Sequence, residues 1–407
     1  MNATADYQVS AAEAFDTRVG WAMVGVAFVS SFTVYGIAYS FGAFFKPMAM
    51  EFGTGRSATS AVFSITAFLY FMLGPLSGHL SDRFGPRVVV ATGAIVMGTG
   101  LVLTSFIDRL WLGYLTYGAG VGIGVACGYL PMIAVVGGWF IRRRTTALGI
   151  AVAGIGCGTL CVAPAAAALI GKFGWRATDV IFGLASAAIL LGCAALARRP
   201  PIHVLPAEFR LRDAIRTPAF GLLYTSSLLC SIALYLPFVY LPDFARRHGA
   251  SEVAAAALVG LIGAASVVGR MGLGALGERA GVIRLYQASF LVMALSFGVW
   301  MAARSYPPLV VFALMMGAAY GGYVALSPAV IAQLYGTGRL GVVLGVLYTS
   351  CGIGALCGPP LAGLIIDRTG SYRWAVGFAF AVVLASFVVL LPLARYEPRS
   401  IPDTESN

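Results

Sequence analysis

The chain has 407 residues, of which 59% are hydrophobic and only 11% charged, against roughly a quarter charged in an ordinary soluble domain. With a mean hydropathy of +0.87, that balance excludes a water-soluble globular protein. The net charge of +11 is almost wholly arginine, since Lys46 and Lys172 are the only lysines. Nearly all these cations lie between apolar segments, so loop charge explains them better than nucleic-acid binding.

The opening stretch, Met1 to Arg18, carries Asp6, Glu13 and Asp16 and lacks the basic region, short apolar run and cleavage site of a signal peptide. It is expected to be a tail. Beyond it, apolar segments long enough to cross a bilayer recur, and their continuous apolar character excludes an outer-membrane barrel. Charges, Pro and Gly as limits predict helices over 19–45, 58–80, 88–106, 110–138, 145–170, 177–197, 219–242, 253–277, 284–303, 307–334, 340–366 and 374–394. The expected fold class is therefore an all-α membrane protein of twelve transmembrane helices. The long polar connection at 198–218 divides it into six-helix halves, 19–197 and 219–394, with residues 1–18 and 395–407 as tails. Lys and Arg in alternate loops divide 16 to 10. The richer side holds both tails and the linker and is expected to face the cytoplasm, in a multi-pass protein of the cytoplasmic membrane.

A shift of 196 residues superimposes Gly78, Asp82, Arg83 and Gly85 on Gly274, Glu278, Arg279 and Gly281. At the same shift Leu148, Gly149, Gly156, Gly158, Leu160, Cys161 and Pro164 fall on Leu344, Gly345, Gly352, Gly354, Leu356, Cys357 and Pro360. The halves are thus parallel repeats, an arrangement that usually places a substrate site between them near the bilayer midplane.

The run Gly78-His79-Leu80-Ser81-Asp82-Arg83-Phe84-Gly85-Pro86-Arg87 resembles the signature between the second and third helices of the major facilitator superfamily, and the resemblance covers almost the whole chain. More narrowly, Phe44-Phe45-Lys46-Pro47, Trp139-Phe140-Ile141-Arg142-Arg143-Arg144, Phe173-Gly174-Trp175-Arg176 and an arginine in the eighth helix are similar to the monocarboxylate transporters and the related oxalate/formate antiporters. The resemblance implies a secondary carrier of small carboxylates.

Arg270 lies eight residues before Glu278, about 12 Å from the cytoplasmic helix end at about 1.5 Å per residue. A guanidinium at that depth is costly unless it faces water or an anion. One reading is a packing arginine bonded to carbonyls. The other is a fixed cation in a central cavity, whose planar fork fits a carboxylate bidentately, the role the resemblance assigns to this position. None of the 16 acidic residues falls at the middle of a predicted span, Asp179, Asp243 and Asp367 lying closest. The expected substrate is therefore an anion. The resemblance pairs such an arginine with a lysine in the first helix and an aspartate four residues earlier, where this chain has Tyr39 and Ser266. In the oxalate-type relatives a second cation sits in the eleventh helix, where this chain has Cys351. One fixed charge favours a monovalent anion.

Tyr35 and Tyr39 share a face of the first helix, and Tyr320 with Tyr323, and Tyr348 with Cys351, are i, i+3 pairs. Membrane-buried phenols need partners, and a carboxylate oxygen would serve. Tyr117 and Tyr129 are further candidates. Aromatic stripes also pack cores, and both readings stand at this point. The resemblance further implies a cytoplasmic latch of Asp82, Arg83, Arg87, Arg142 and Arg143, with Glu278 and Arg279 as the second half's version, closed when the carrier opens outward. The glycines and prolines at 154, 156, 158, 164, 352, 354 and 358–360 read as close helix packing or as bend points.

The seven cysteines sit inside apolar segments without metal-ligand spacing, and His79, His203 and His248 fall in loops. No metal, cofactor or phosphate-cradling G-x-x-x-x-G-K-[ST] run is expected, nor any enzymatic site. The expected partners are a small carboxylate, a proton or counter-anion and the bilayer, with no nucleic acid. The expected activity is proton-linked transport of lactate- or pyruvate-like anions. The alternatives are an oxalate/formate-type exchanger or a solute receptor that binds without transporting.

Overall fold

The computed structural model describes residues 17–140, 143–200, 214–335 and 340–396, and every regular element among them is helical. The first half contains α1 (Arg18–Glu51), α2 (Arg56–Phe84), α3 (Pro86–Thr104) and α4 (Leu110–Trp139). The helical run Arg144–Leu196 follows, which Gly174, at φ 81°, divides into α5 and α6. The second half contains α7 (Pro218–Arg247), α8 (Glu252–Ala280), α9 (Val282–Ala302), α10 (Tyr306–Tyr335), α11 (Leu340–Thr369) and α12 (Tyr372–Leu390). The N-caps are legible locally: Thr17, Thr217 and Ser251 accept from the backbone N–H three residues on. The predicted limits fall short in several helices, as where α1 runs past 45 through Lys46 and Pro47 to Glu51. Hydropathy marks the lipid-crossing portion, whereas the backbone ladder continues into polar turns beyond it.

We call the face bearing both ends of the described chain, with residues 198–200 and 214–218, proximal, and the opposite face distal. Six glycines among the described residues have positive φ: Gly53 (60°), Gly85 (92°), Gly174 (81°), Gly249 (88°), Gly281 (87°) and Gly370 (68°). They form three pairs at the same 196-residue shift, because each half needs the same left-handed turns between helices, which only glycine makes without strain. The helices within each half also meet in equivalent ways. An added methyl at Gly158 of α5 would run into the Phe32 backbone of α1, and one at Gly354 of α11 would meet the Leu228 carbonyl of α7 at 2.8 Å. Gly158→Ala should therefore lower the stability of the first half by about 1–3 kcal/mol, read as a fall in the thermal unfolding midpoint in detergent. An unchanged midpoint would contradict this packing.

Two helix pairs, α5 with α8 and α2 with α11, form the seam between the halves. Gly156 and Gly263 sit against each other's carbonyls, and Gly352 lies against Phe71 and Met72. At the distal face the seam is shut. Arg56 reaches Asp367 (3.5 Å) and Asp243 (3.9 Å) across the halves, the Ser57 N–H donates to Asp367 (3.2 Å), and Phe45 packs edge-on against Tyr240 (5.2 Å). No cross-half ion pair is described at the proximal face. Between the halves the mid-span side chains Arg270, Tyr129 and Tyr348 are only half-buried, which leaves a space on the proximal side of the closed seam.

Candidate functional site

The site is built where α8 and α10 touch backbone to backbone. Gly269, Gly317 and Gly321 leave no room for a side chain between these helices, a use of small residues typical of membrane helix contacts. That approach brings the Arg270 guanidinium 5.7 Å from the centre of the Tyr320 ring, in cation–π range. Arg270 Nη1 donates to the Val152 carbonyl of α5 at 2.9 Å, so the side chain bridges the halves. Its Nε and Nη2 are buried without a hydrogen-bond partner, and no described carboxylate pairs with it. The packing reading is thus satisfied at one nitrogen and fails at two. Unmet buried donors of a charged group are costly, and two of them side by side on one fork present the geometry of a bidentate anion contact.

Around the guanidinium the structure gathers tyrosines from both halves. The Tyr39 hydroxyl lies 3.3 Å from that of Tyr320 and 3.5 Å from that of Tyr70. Both distances exceed the roughly 3.0 Å limit of a strong O–H···O bond, so these phenols are neighbours with hydrogen-bonding capacity to spare. Tyr35 packs edge-on against Tyr129 (5.0 Å), and both lie within electrostatic reach of Arg270. Tyr348 meets Phe71 (6.0 Å) and is electrostatically close to Tyr129. Tyr39 also stacks on Phe238 (4.3 Å). The buried Tyr39, Tyr70 and Tyr320 roof the space distally, whereas Arg270, Tyr129 and Tyr348 are partly exposed.

Other predicted residues lie elsewhere. Tyr117 is fully buried inside the first half, packed on Phe41 (5.4 Å) and donating to the Ile37 carbonyl (3.4 Å). Cys351 pairs with the Tyr323 hydroxyl (3.1 Å), and Tyr323 packs on Tyr286 and Phe290 within the second half. Ser266 turns its hydroxyl to the Gly263 carbonyl of its own helix (2.7 Å). Sequence reasoning missed Tyr70, Phe71, Tyr235 and Phe238. One signal would have found Tyr235: the 196-residue shift maps Tyr39 onto it, and both stand where their helix breaks, at Ser40 in α1 and at Tyr235 in α7. A surface groove of about 690 Å³ between α1 and α6, lined by Met23, Val29 and Ile189, lies apart from Arg270.

Of the expected latch, Asp82, Arg83 and Arg87 are exposed. Arg83 lies over Phe84 (5.2 Å), and Arg87 donates to the Ala197 carbonyl (2.7 Å) within its own half. Arg143 is exposed. Arg142 and the side chains of Glu278 and Arg279 lie outside the described residues. One buried acid escaped the sequence reading's emphasis: Asp179 of α6 is completely buried, with neither oxygen hydrogen-bonded, near Arg176 and Tyr117.

The Major Facilitator Superfamily model matches residues 27–287 and 223–406. Monocarboxylate transporter 3 of Rattus norvegicus is 32% identical over 373 residues, covering 87% of this chain and 75% of that protein. Monocarboxylate transporter 13 of Bos taurus is 30% identical over 402 residues, 97% of this chain and 94% of that protein. Among solved structures, a bacterial homolog to the human lysosomal transporter Spinster, in an inward-facing and occupied conformation, shares the fold with a TM-score of 0.74 at 16% identity, over 92% of this chain and 96% of that one. Two repeated six-helix halves bridged by Arg270 and these matches lead to one assignment: the chain is a multi-pass membrane transporter, not an enzyme, that belongs to the Major Facilitator Superfamily and resembles its monocarboxylate transporters.

Proposed function

We propose that the protein carries small monocarboxylates by alternating access, binding the carboxylate at Arg270 beneath the tyrosine roof. The observation that carries this reading is the pair of buried, unpartnered donors on the Arg270 fork, in a space lined by under-bonded phenols. A carboxylate would satisfy both nitrogens and leave its apolar tail against rings. A single fixed cation suits a monovalent anion better than a dianion. Tyr39, Tyr320, Tyr35, Tyr129 and Tyr348 then hold the substrate, while Tyr323, Cys351, Ser266 and Tyr117 shape the helices behind it. The names of the similar transporters favour the same substrate class. The proximal face is the cytoplasmic one, on the 16 to 10 division of basic residues, and Asp82, Arg83, Arg87, Arg142 and Arg143, with Glu278 and Arg279, latch it when the distal side opens.

Movement is proton-linked in this proposal. A lactate-like acid is ionised at neutral pH, so electroneutral movement needs a proton, carried beside the substrate or on a protein acceptor. Among the described residues Asp179 is the fully buried carboxyl without a hydrogen bond, and it supplies the acceptor that the span centres lack. In proteoliposomes an inward proton gradient should drive accumulation of labelled lactate that collapses with a protonophore. Asp179→Asn should abolish accumulation but retain lactate-for-lactate exchange. Uptake by the parent protein only into vesicles preloaded with a carboxylate would overturn proton linkage in favour of exchange, and full accumulation by Asp179→Asn would remove that residue from the proton path.

A further inference from the structure

Four of the ten basic residues that the loop count places on the distal face converge on one cavity there. It measures about 440 Å³ and lies between the end of α1, the start of α2 and the end of α7. Lys46, Arg56, Arg246 and Arg247 line it against a single lining carboxylate, Asp243. That carboxylate is shared three ways, with Arg246 at 3.5 Å, Arg247 at 3.6 Å and Arg56 at 3.9 Å, and the Tyr372 hydroxyl also donates to it. Charge-assisted contacts run to about 2.7–2.9 Å, so none of the three guanidiniums is saturated by Asp243. Arg56 has a second acid, Asp367. Arg246 Nε is buried with no hydrogen-bond partner, and Lys46 is exposed, with no described ion pair. Ala49 and Met50 give the same cavity an apolar wall.

Topology does not account for this concentration, because the positive-inside bias disfavours cations on the distal face. We propose that the cavity is a second anion site, a vestibule outside the closed distal seam that captures a small carboxylate before it is admitted to Arg270. The head of such an anion meets the unsaturated nitrogens of Arg246 and Arg247 and the ammonium of Lys46, and a short alkyl tail lies on Ala49 and Met50. Converging like charges in a recess raise the local concentration of counter-ions and their capture rate. This inference rests on the carboxylate-carrier reading.

The test compares the two faces. Lys46→Gln removes one charge without touching the Asp243 pairs, and Lys172→Gln, a distal cation outside the cavity, is the control. In oriented proteoliposomes Lys46→Gln should raise the KM for lactate entering from the distal face about three- to tenfold at unchanged influx Vmax. The proximal KM should stay unchanged while the opposite-direction Vmax falls by the same factor, as equal Vmax/KM in both directions without a gradient requires. Lys46→Glu should raise it further, and Lys172→Gln should do nothing. An unchanged distal KM, or an equal rise at both faces, would overturn the vestibule. A second measurement needs no transport. In Lys46→Cys, an anionic methanethiosulfonate should modify position 46 at least about tenfold faster than a cationic one, and lactate should slow it. Equal rates for the two reagents would overturn the site. If the parent protein moves no carboxylate while this charge selectivity persists, the carrier reading fails and the anion site stands.

Discussion

Arg270→Gln is expected to abolish carboxylate transport while leaving a folded carrier. Glutamine is neutral and its amide ends about where Nε stands, so it loses the charge, the parallel pair of donors at Nε and Nη2, and the reach of Nη1 to the Val152 carbonyl. Two hydrogen bonds to a charged partner are worth about 1.5–3 kcal/mol each, so affinity should fall by roughly two to four orders of magnitude. Arg270→Lys should recover little, since a point charge on a flexible stem cannot reproduce the planar fork. Lactate binding and uptake, with the thermal midpoint as the folding control, decide the matter. Uptake by a stable Arg270→Gln variant at near-parent affinity and rate would place the substrate elsewhere.

Asp243→Asn should open the distal face. In the closed seam this carboxylate takes three guanidiniums and a phenol, and Arg56 is the cation that ties it to the other half. Neutralising a buried, paired carboxylate leaves cations facing one another and typically costs about 2–5 kcal/mol. Because Arg56 is partly exposed and keeps Asp367, the lower part of that range applies, about 2–3 kcal/mol, or about 30- to 150-fold in the closed-to-open ratio. Ser60 is completely buried on α2 behind the seam and makes a reporter. Ser60→Cys alone should resist a membrane-impermeant maleimide applied distally, and the double variant with Asp243→Asn should label faster by about that factor. Asp243→Glu, which keeps the charge, should label slowly. If Asp243→Asn leaves labelling unchanged, the seam is held instead by the packing of Phe45 on Tyr240 and by the close approach of Gly42 of α1 to the Phe238 carbonyl of α7.

The chain by itself determined its class, its span count and its repeat, and it singled out Arg270 as a candidate. Scarcity of charge along the chain is a one-dimensional property, so the bilayer reading needs no neighbours in space. The 196-residue register is likewise linear, and it reappears in the three pairs of left-handed glycines. Arg270 was legible because a single guanidinium eight residues inside an apolar helix stands out whatever surrounds it. Tertiary structure alone decided which side chains meet it. The spans are apolar nearly all round, so periodicity does not say which face of a helix looks inward, and contacts among glycines set the facing instead. That is why Tyr117 and Cys351, plausible by spacing, are turned into the body of their halves, while Tyr70 joins Tyr39 in the roof and Tyr235 packs beside it on Phe71. The distal seam was invisible for a related reason: Arg56, Asp243 and Asp367 are far apart in the chain and each looks like an ordinary loop charge, until the packing of α2 against α7 and α11 brings both acids within 4 Å of Arg56.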